Sequence, residues 1–254
     1  IEAHTAVMLA PYSNRPDTKG TPMYSAADLN RVVTLMDKHG WQVMIHAIGD
    51  GGIRMSLDAF EQAARANTAP ARGRRHRIEH IESTDPADIP RFGALGVAAS
   101  MQPFHANPSP NQINVWVGNI GPERASRGWV YRSISDAGGR LVFGSDWPVV
   151  TLDPRMGVNM AVNRTTPEGV PPGGWYPAER MSLARVLEAY TSGAAWASFD
   201  ERRKGRLAPG MLADVVVLSA DVFGLPTGKL LDAVVTTTIF DGQVVYSRDG
   251  RLSN

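Results

Sequence analysis

The chain has 254 residues, 43% hydrophobic and 20% charged, which suits one large α/β domain or one domain with a small appendage and excludes a disordered chain. Twenty-six Lys and Arg against 25 Asp and Glu leave a formal charge of +1, so no nucleic-acid partner is expected, and the short basic run Arg72 to Arg77 reads as a solvated loop before a strand. There is no cysteine, which excludes disulfides, Cys-ligated zinc and thiol nucleophiles and fits a reducing compartment, so a cytoplasmic location is the expectation. No apolar run approaches the roughly 18 residues of a membrane span, and no membrane partner is expected. The first residue is Ile1 rather than Met, so the lack of a visible leader carries no weight.

Residues 1–24 carry turn residues throughout (Pro11, Asn14, Pro16, Asp17, Gly20, Pro22) and contain no first strand. Ser25 with Asp28 resembles a capping box, and Leu29, Val32, Val33 and Met36 give the buried face of a helix that ends at Gly40. Trp41 to His46 reads as a strand, and Ile53, Leu57, Phe60 and Ala64 mark the next helix. His76 to Ile81 is a strand; Asp85-Pro86 opens a helix with Ile89, Phe92 and Leu95 on its apolar face; Val97 to Gln102 is a strand. A long loop is expected from Pro103 to about Glu123, then a helix over Val130 to Asp136 stopping at Gly138-Gly139, and a strand over Leu141 to Ser145. After a second long loop, Ser182 caps a helix with Leu183, Val186, Leu187 and Tyr190 on one face.

Strands alternating with helices imply parallel strands with right-handed crossovers, consecutive strands lying side by side. Four such strands precede residue 150, half the number in an eight-stranded barrel. From Gly205 the texture changes to β-branched runs, Val215 to Leu218, Ala233 to Phe240 and Val244 to Tyr246, the last two joined by the hairpin signal Asp241-Gly242. The expected organisation is an α/β unit over residues 1–200 and a small β unit over 201–254.

Three of the strands deliver a polar, metal-competent residue at the C-terminal end, where side chains converge in a barrel of parallel strands: His46, His80 and Asp146. Each has a plain reading by itself, a buried core imidazole for the histidines and a helix cap for the aspartate. Together they suit a divalent cation, zinc above all, that acidifies water, with Asp146 taking the proton and passing it to a leaving nitrogen. His105, just past the third strand, either touches an oxyanion or is a solvent-exposed loop residue. His76 and His80 are four apart, but on a strand that spacing does not bring two imidazoles to one ion; His4 and His39 are expected to be non-catalytic. Asp50 either orients a ligand or caps a helix, and Glu79 points away from His80. Trp116, Trp147, Trp175 and Tyr176, in the two long loops, read either as an apolar pocket or as packing. There is no Gly-x-Ser-x-Gly elbow, Walker A loop or dinucleotide fingerprint.

The ordered set His-Ala-Ile-Gly-Asp (46–50), Arg-Ile-Glu-His (77–80), Met-Gln-Pro-Phe-His (101–105) and Gly-Ser-Asp-Trp-Pro-Val (144–149), followed by Lys204-Gly205-Arg206-Leu207-Ala208-Pro209-Gly210, resembles the amidohydrolase superfamily. It is most similar to the amidohydrolase-3 branch, which includes N-substituted formamide deformylases. The resemblance implies a (β/α)8 TIM-type barrel with one or two metal ions and a second, β-sandwich domain. It puts His46 and His80 at the ligands on the fifth and sixth strands, and Asp146 at the eighth-strand aspartate that binds metal and acts as general base. His105 and Gln102 match positions that face substrate. The family's first-strand His-x-His pair and its fourth-strand bridging lysine are missing, Lys19 being a poor substitute in a turn-rich loop. The chain therefore reads as strands five to eight of a longer enzyme, needing the N-terminal half of the barrel as partner, with a homo-oligomer also open. The function so implied is metal-dependent hydrolysis of non-peptide amide-like C–N bonds, of N-acyl or N-formyl amines. The alternatives are a catalytically silent fragment or assembly subunit, and another barrel hydrolase such as a deaminase or phosphotriesterase.

Overall fold

The computed structural model describes residues 1–110 and 112–250. Its first part is built on four parallel strands, β1 (Met44–Ala47), β2 (Arg77–His80), β3 (Ala98–Met101) and β4 (Arg140–Phe143), in the spatial order β1-β2-β3-β4. Among the described residues β1 and β4 each pair on one side only. The strands are linked by helices α1 (Ala26–Lys38) before β1, α2 (Asp50–Ala66), α3 (Ile89–Leu95) and, after short helical pieces, α6 (Tyr131–Asp136). The register Met44↔Arg77, Arg77↔Ala98 and Ala98↔Arg140 keeps the four strand starts level, so their C-terminal ends open onto one side.

Local sequence explains these elements. Ser25 accepts the backbone N–H of Asp28, and Gly40, at φ 73°, takes the left-handed turn that ends α1. Ile53, Leu57 and Phe60 are buried on α2 as the helical period requires, with Ala63 rather than the exposed Ala64 completing the face. Asp85 caps the turn Pro86–Asp88 that leads into α3, where Phe92 is buried and Ile89 and Leu95 are half-buried. The core between sheet and helices holds Ile53, Leu57, Phe60, Ile78, Ala99 and Phe143.

Four expectations need correction. The first strand begins at Met44, not Trp41, because its partner has no extended backbone there: Arg75 lies at φ 50°, and the ladder starts with Met44 opposite Arg77. The fourth ends at Phe143, leaving Ser145 and Asp146 beyond it. The segment 103–123 is not an open loop. It folds into a 3-10 turn (Pro103–Ala106), a π turn (Gln112–Trp116), α4 (Val117–Ile120) and α5 (Pro122–Ala125), pieces too short to give an apolar period; Asn111 lies outside the described residues. The second long loop contains a ten-residue helix, α7 (Pro154–Asn163), capped by Asp153. Its signature is masked because its buried residues include Gly157 and Asn159, which interrupt the apolar period: a Cβ on Gly157 would lie 1.9 Å from the Tyr190 hydroxyl.

Helix α8 (Leu183–Glu188), capped by Ser182, runs through a π turn (Ala189–Gly193) into α9 (Ala194–Ala197) against β4. The chain then forms an antiparallel sheet of β5 (Val215–Leu218), β6 (Val235–Phe240) and β7 (Gln243–Ser247) in that order. Asp241 and Gly242, both at positive φ, make the hairpin turn that the sequence predicts. Residues 251–254 of the expected β unit lie outside the described residues.

Candidate metal centre

His46 stands in β1, His80 ends β2, Gln102 and His105 follow β3, and Asp146 lies three residues past β4. The parallel order therefore brings residues a hundred positions apart to one end of the sheet. Two of them sit in backbone that strands do not use: His80 is at φ 78° and Asp146 at φ 63°. Such conformations cost of order 1–3 kcal/mol for a non-glycine residue and persist where surrounding contacts fix them. Just past His80 the chain is fixed twice to the end of β1, since Ile81 N–H bonds to Ala47 carbonyl and Ser83 N–H to Ile48 carbonyl.

Donor atoms of His80, His105 and Asp146 all lie within 4.8 Å of one another. His105 Nε2 is 3.5 Å from Asp146 Oδ2, and the rings of His80 and His105 are 5.7 Å apart. The His46 ring is set edge-on to His80 at 4.3 Å, beside this triplet. His80 Nδ1, His105 Nε2 and Gln102 Oε1 are buried without a hydrogen-bond partner among the described residues. Burial first, and then the nearby His46, hold the His80 imidazole below its ordinary pKa, against the pull of Asp146 and Glu82. At neutral pH His80 thus keeps a lone pair. Orphaned imidazole nitrogens facing a carboxylate are the donor set that suits a divalent cation.

Gln102 donates to Glu79 Oε2 at 3.4 Å, and Glu79 pairs with Arg77 at 2.8 Å. Asp50 serves the fold, accepting the backbone N–H of Leu9 at 2.8 Å from the start of α2. Lys19 spends its ammonium on the Leu9 carbonyl at 3.0 Å. His76 is a core residue: it accepts the Val43 N–H, faces Asp37 at 3.1 Å and stacks on Phe60. Trp116 and Trp175 are core residues. They are buried with Trp129 in one cluster, the rings of Trp116 and Trp129 4.6 Å apart, while Trp147 is exposed.

Sequence reasoning missed Glu82. It is 7% exposed, accepts the Trp116 indole N–H at 3.0 Å and lies 3.9 Å from His105 Nδ1. Its position two residues past His80 was a signal, but strand alternation could not be trusted through the positive φ of His80 and Ile81.

A sequence model described as Amidohydrolase family matches residues 1–246. The chain belongs to the amidohydrolase family, in its amidohydrolase-3 branch. Among family relatives, the Arabidopsis thaliana protein LONG AFTER FAR-RED 3 is 35% identical over 97% of this chain and 41% of its own length. The putative amidohydrolase YtcJ of Bacillus subtilis is 28% identical over 98% and 45%. The N-substituted formamide deformylase of Arthrobacter pascens is 29% identical over 91% and 41%. Among solved structures, an uncharacterized metal-dependent hydrolase from Pyrococcus horikoshii aligns with a TM-score of 0.74 at 28% identity, over 89% of this chain and 44% of that one. A second, from Pyrococcus furiosus, gives 0.68 at 29% identity, over 82% and 40%. The chain thus spans less than half the length of the curated relatives it matches.

Proposed function

We propose that this chain is the C-terminal half of a (β/α)8 metal-dependent hydrolase, completed by a small β-sandwich segment from residue 201, and that the assembled enzyme cleaves non-peptide amide-like C–N bonds such as those of N-acyl or N-formyl amines. The observation that carries this reading is the meeting of His46, His80, His105 and Asp146 at the C-terminal ends of adjacent parallel strands, with imidazole nitrogens left unpartnered. The choice of C–N bond draws on the likeness to a relative named for N-substituted formamide deformylation.

His46, His80 and Asp146 are the proposed ligands of one or two divalent ions, zinc by the chemistry of imidazole and carboxylate donors. Bound there, such an ion supplies Lewis acidity, acidifying water and polarising a carbonyl oxygen. Asp146 is half-exposed, so it can exchange protons with the reacting groups. In the proposed reaction Asp146 accepts a proton from water as oxygen attacks the carbonyl carbon, then delivers it to the departing nitrogen, leaving an amine and a carboxylic acid that releases its proton to solvent. Gln102, with Oε1 free, and His105 stand beside the reacting carbonyl. The partner is the N-terminal half of the barrel, which would pair the free edges of β1 and β4 and cover Trp41 and Met44, 63% and 56% exposed. The same edges would also allow a homo-oligomer.

The test is metal content of the purified chain by elemental analysis, alone and mixed with an upstream barrel half from a relative. Stoichiometric zinc that is lost in a His46→Ala, His80→Ala double variant supports the reading. No uptake in either preparation refutes it and leaves a catalytically silent subunit. The 4.8 Å grouping of His80, His105 and Asp146 favours a second ligand set, separable because His105→Ala rather than His46→Ala would then abolish uptake.

A further inference from the structure

Glu82 is a buried carboxylate with, among the described residues, one hydrogen-bond donor to its side chain, the Trp116 indole. Trp116 is fully buried and stacked on Trp129, so that donor is held in place and fixes which Glu82 oxygen it serves, Oε2. The second oxygen, Oε1, faces Nδ1 of His105 at 3.9 Å, a gap that a small rotation of the ring closes to a hydrogen bond. On the other side of the same imidazole, Nε2 faces Asp146 at 3.5 Å and makes no hydrogen bond among the described residues. A neutral imidazole has one N–H and one lone pair, so His105 can donate to Glu82 or to Asp146 but not to both.

Distance favours Asp146 slightly; burial favours Glu82. The Glu82 side chain is 10% exposed and that of Asp146 34%, so water serves Asp146 more readily than it serves Glu82. Leaving a buried carboxylate oxygen without a donor costs more than leaving a solvated one. We infer that Glu82, braced by Trp116, holds His105 as its Nδ1–H tautomer, so that the Nε2 lone pair joins His80 and Asp146 as a further ligand to a divalent cation. His105 is then a metal ligand rather than a hydrogen-bond donor to substrate, and Glu82 is its positioning residue. The inference rests on the metal reading proposed above, although its first observable does not need the metal.

The experiment uses the full chain with 15N-labelled histidine, metal-free, well above the ordinary histidine pKa. Long-range 1H–15N correlation spectra report which ring nitrogen of His105 carries the proton, the signal being assigned by its loss in His105→Gln. The expected result is Nδ1–H in the wild type, a shift toward Nε2–H in Glu82→Leu, and retention of Nδ1–H in Glu82→Gln, whose carbonyl still accepts. Trp116→Phe, which frees Oε2 and leaves the packing surface, checks the brace and is expected to weaken the preference. In parallel, zinc titration should give about 10–100-fold weaker binding for Glu82→Leu than for Glu82→Gln. Nε2–H in the wild type, or a tautomer indifferent to all three variants, overturns the inference even if zinc binds. A wild-type Nδ1–H that responds to Glu82 in a chain taking up no zinc upholds the positioning role while refuting the metal reading. If Glu82→Leu does not fold, the wild-type tautomer and the Glu82→Gln and Trp116→Phe spectra decide the matter.

Discussion

His76 and His80, four residues apart, are expected to respond to alanine in opposite ways. His76 is 2% exposed and bridges three elements: Nδ1 accepts the Val43 N–H at 3.1 Å, Nε2 faces Asp37 of α1 at 3.1 Å, and the ring stacks on Phe60 of α2 at 4.8 Å. His76→Ala removes a hydrogen bond to a carboxylate, about 1.5–3 kcal/mol, and orphans a buried backbone N–H, about 1–3 kcal/mol. It also loses a ring contact worth about 0.5–1.5 kcal/mol. Because these losses share one site and do not add in full, the net expectation is about 3 kcal/mol. His80 is 9% exposed, yet its Nδ1 has no partner, so His80→Ala gives up little hydrogen bonding and should change stability by less than about 1 kcal/mol. The assay is urea unfolding followed by circular dichroism in a chelator, paired with zinc titration of the folded variants. His76→Ala should lower the midpoint and keep zinc affinity; His80→Ala should do the reverse. A His76→Ala variant within about 0.5 kcal/mol of wild type, or one that loses zinc as His80→Ala does, refutes the division of roles.

Stability should fall with acid in two stages. Burial holds His76 below its usual value near 6.5, so above 6.5 its contribution is complete, and it is lost as pH drops through the window below, where the unfolded chain takes up the proton first. Burial raises Asp37, but hydrogen bonds from Arg74 and Asn67 and the Arg74 charge outweigh it, so its contribution persists above 3.8 and disappears further down. Denaturant midpoints across pH should show a shallower upper stage in His76→Ala. Gly157→Ala should destabilise by about 1–3 kcal/mol by pushing on the hydroxyl of the half-buried Tyr190, and Tyr190→Phe should recover part of the loss in the double variant, measured by thermal unfolding. Trp175→Ala should cost about 3–5 kcal/mol and collapse the near-ultraviolet signal of the three-tryptophan cluster without changing zinc binding.

Much of the architecture was legible because local rules agreed with it. Ser25 with Asp28, Gly40, Asp85-Pro86, Ser182 and Asp241-Gly242 each set an element boundary by backbone chemistry that needs no distant contact. The parallel order followed from strand and helix alternation. The helix α7 was not legible, because its buried residues include a polar Asn159 and a glycine fitted to Tyr190 of the π turn, a complementarity that exists only once that turn has docked. The aromatic residues of the long loops could be read as pocket or as packing from sequence; only the tertiary structure put Trp116 and Trp175 in the core beside Trp129 and left Trp147 exposed.

At the site the division is similar. The sequence by itself determined that His46, His80 and Asp146 end or follow apolar strands, because a strand's period and length are local properties. The tertiary structure alone decided that His105 lies 3.5 Å from Asp146 and that a buried Glu82 stands behind it. Those relations depend on the left-handed backbone at His80 and Asp146 and on the docking of Trp116. Both are set by contacts between segments far apart in the chain, which no local pattern encodes.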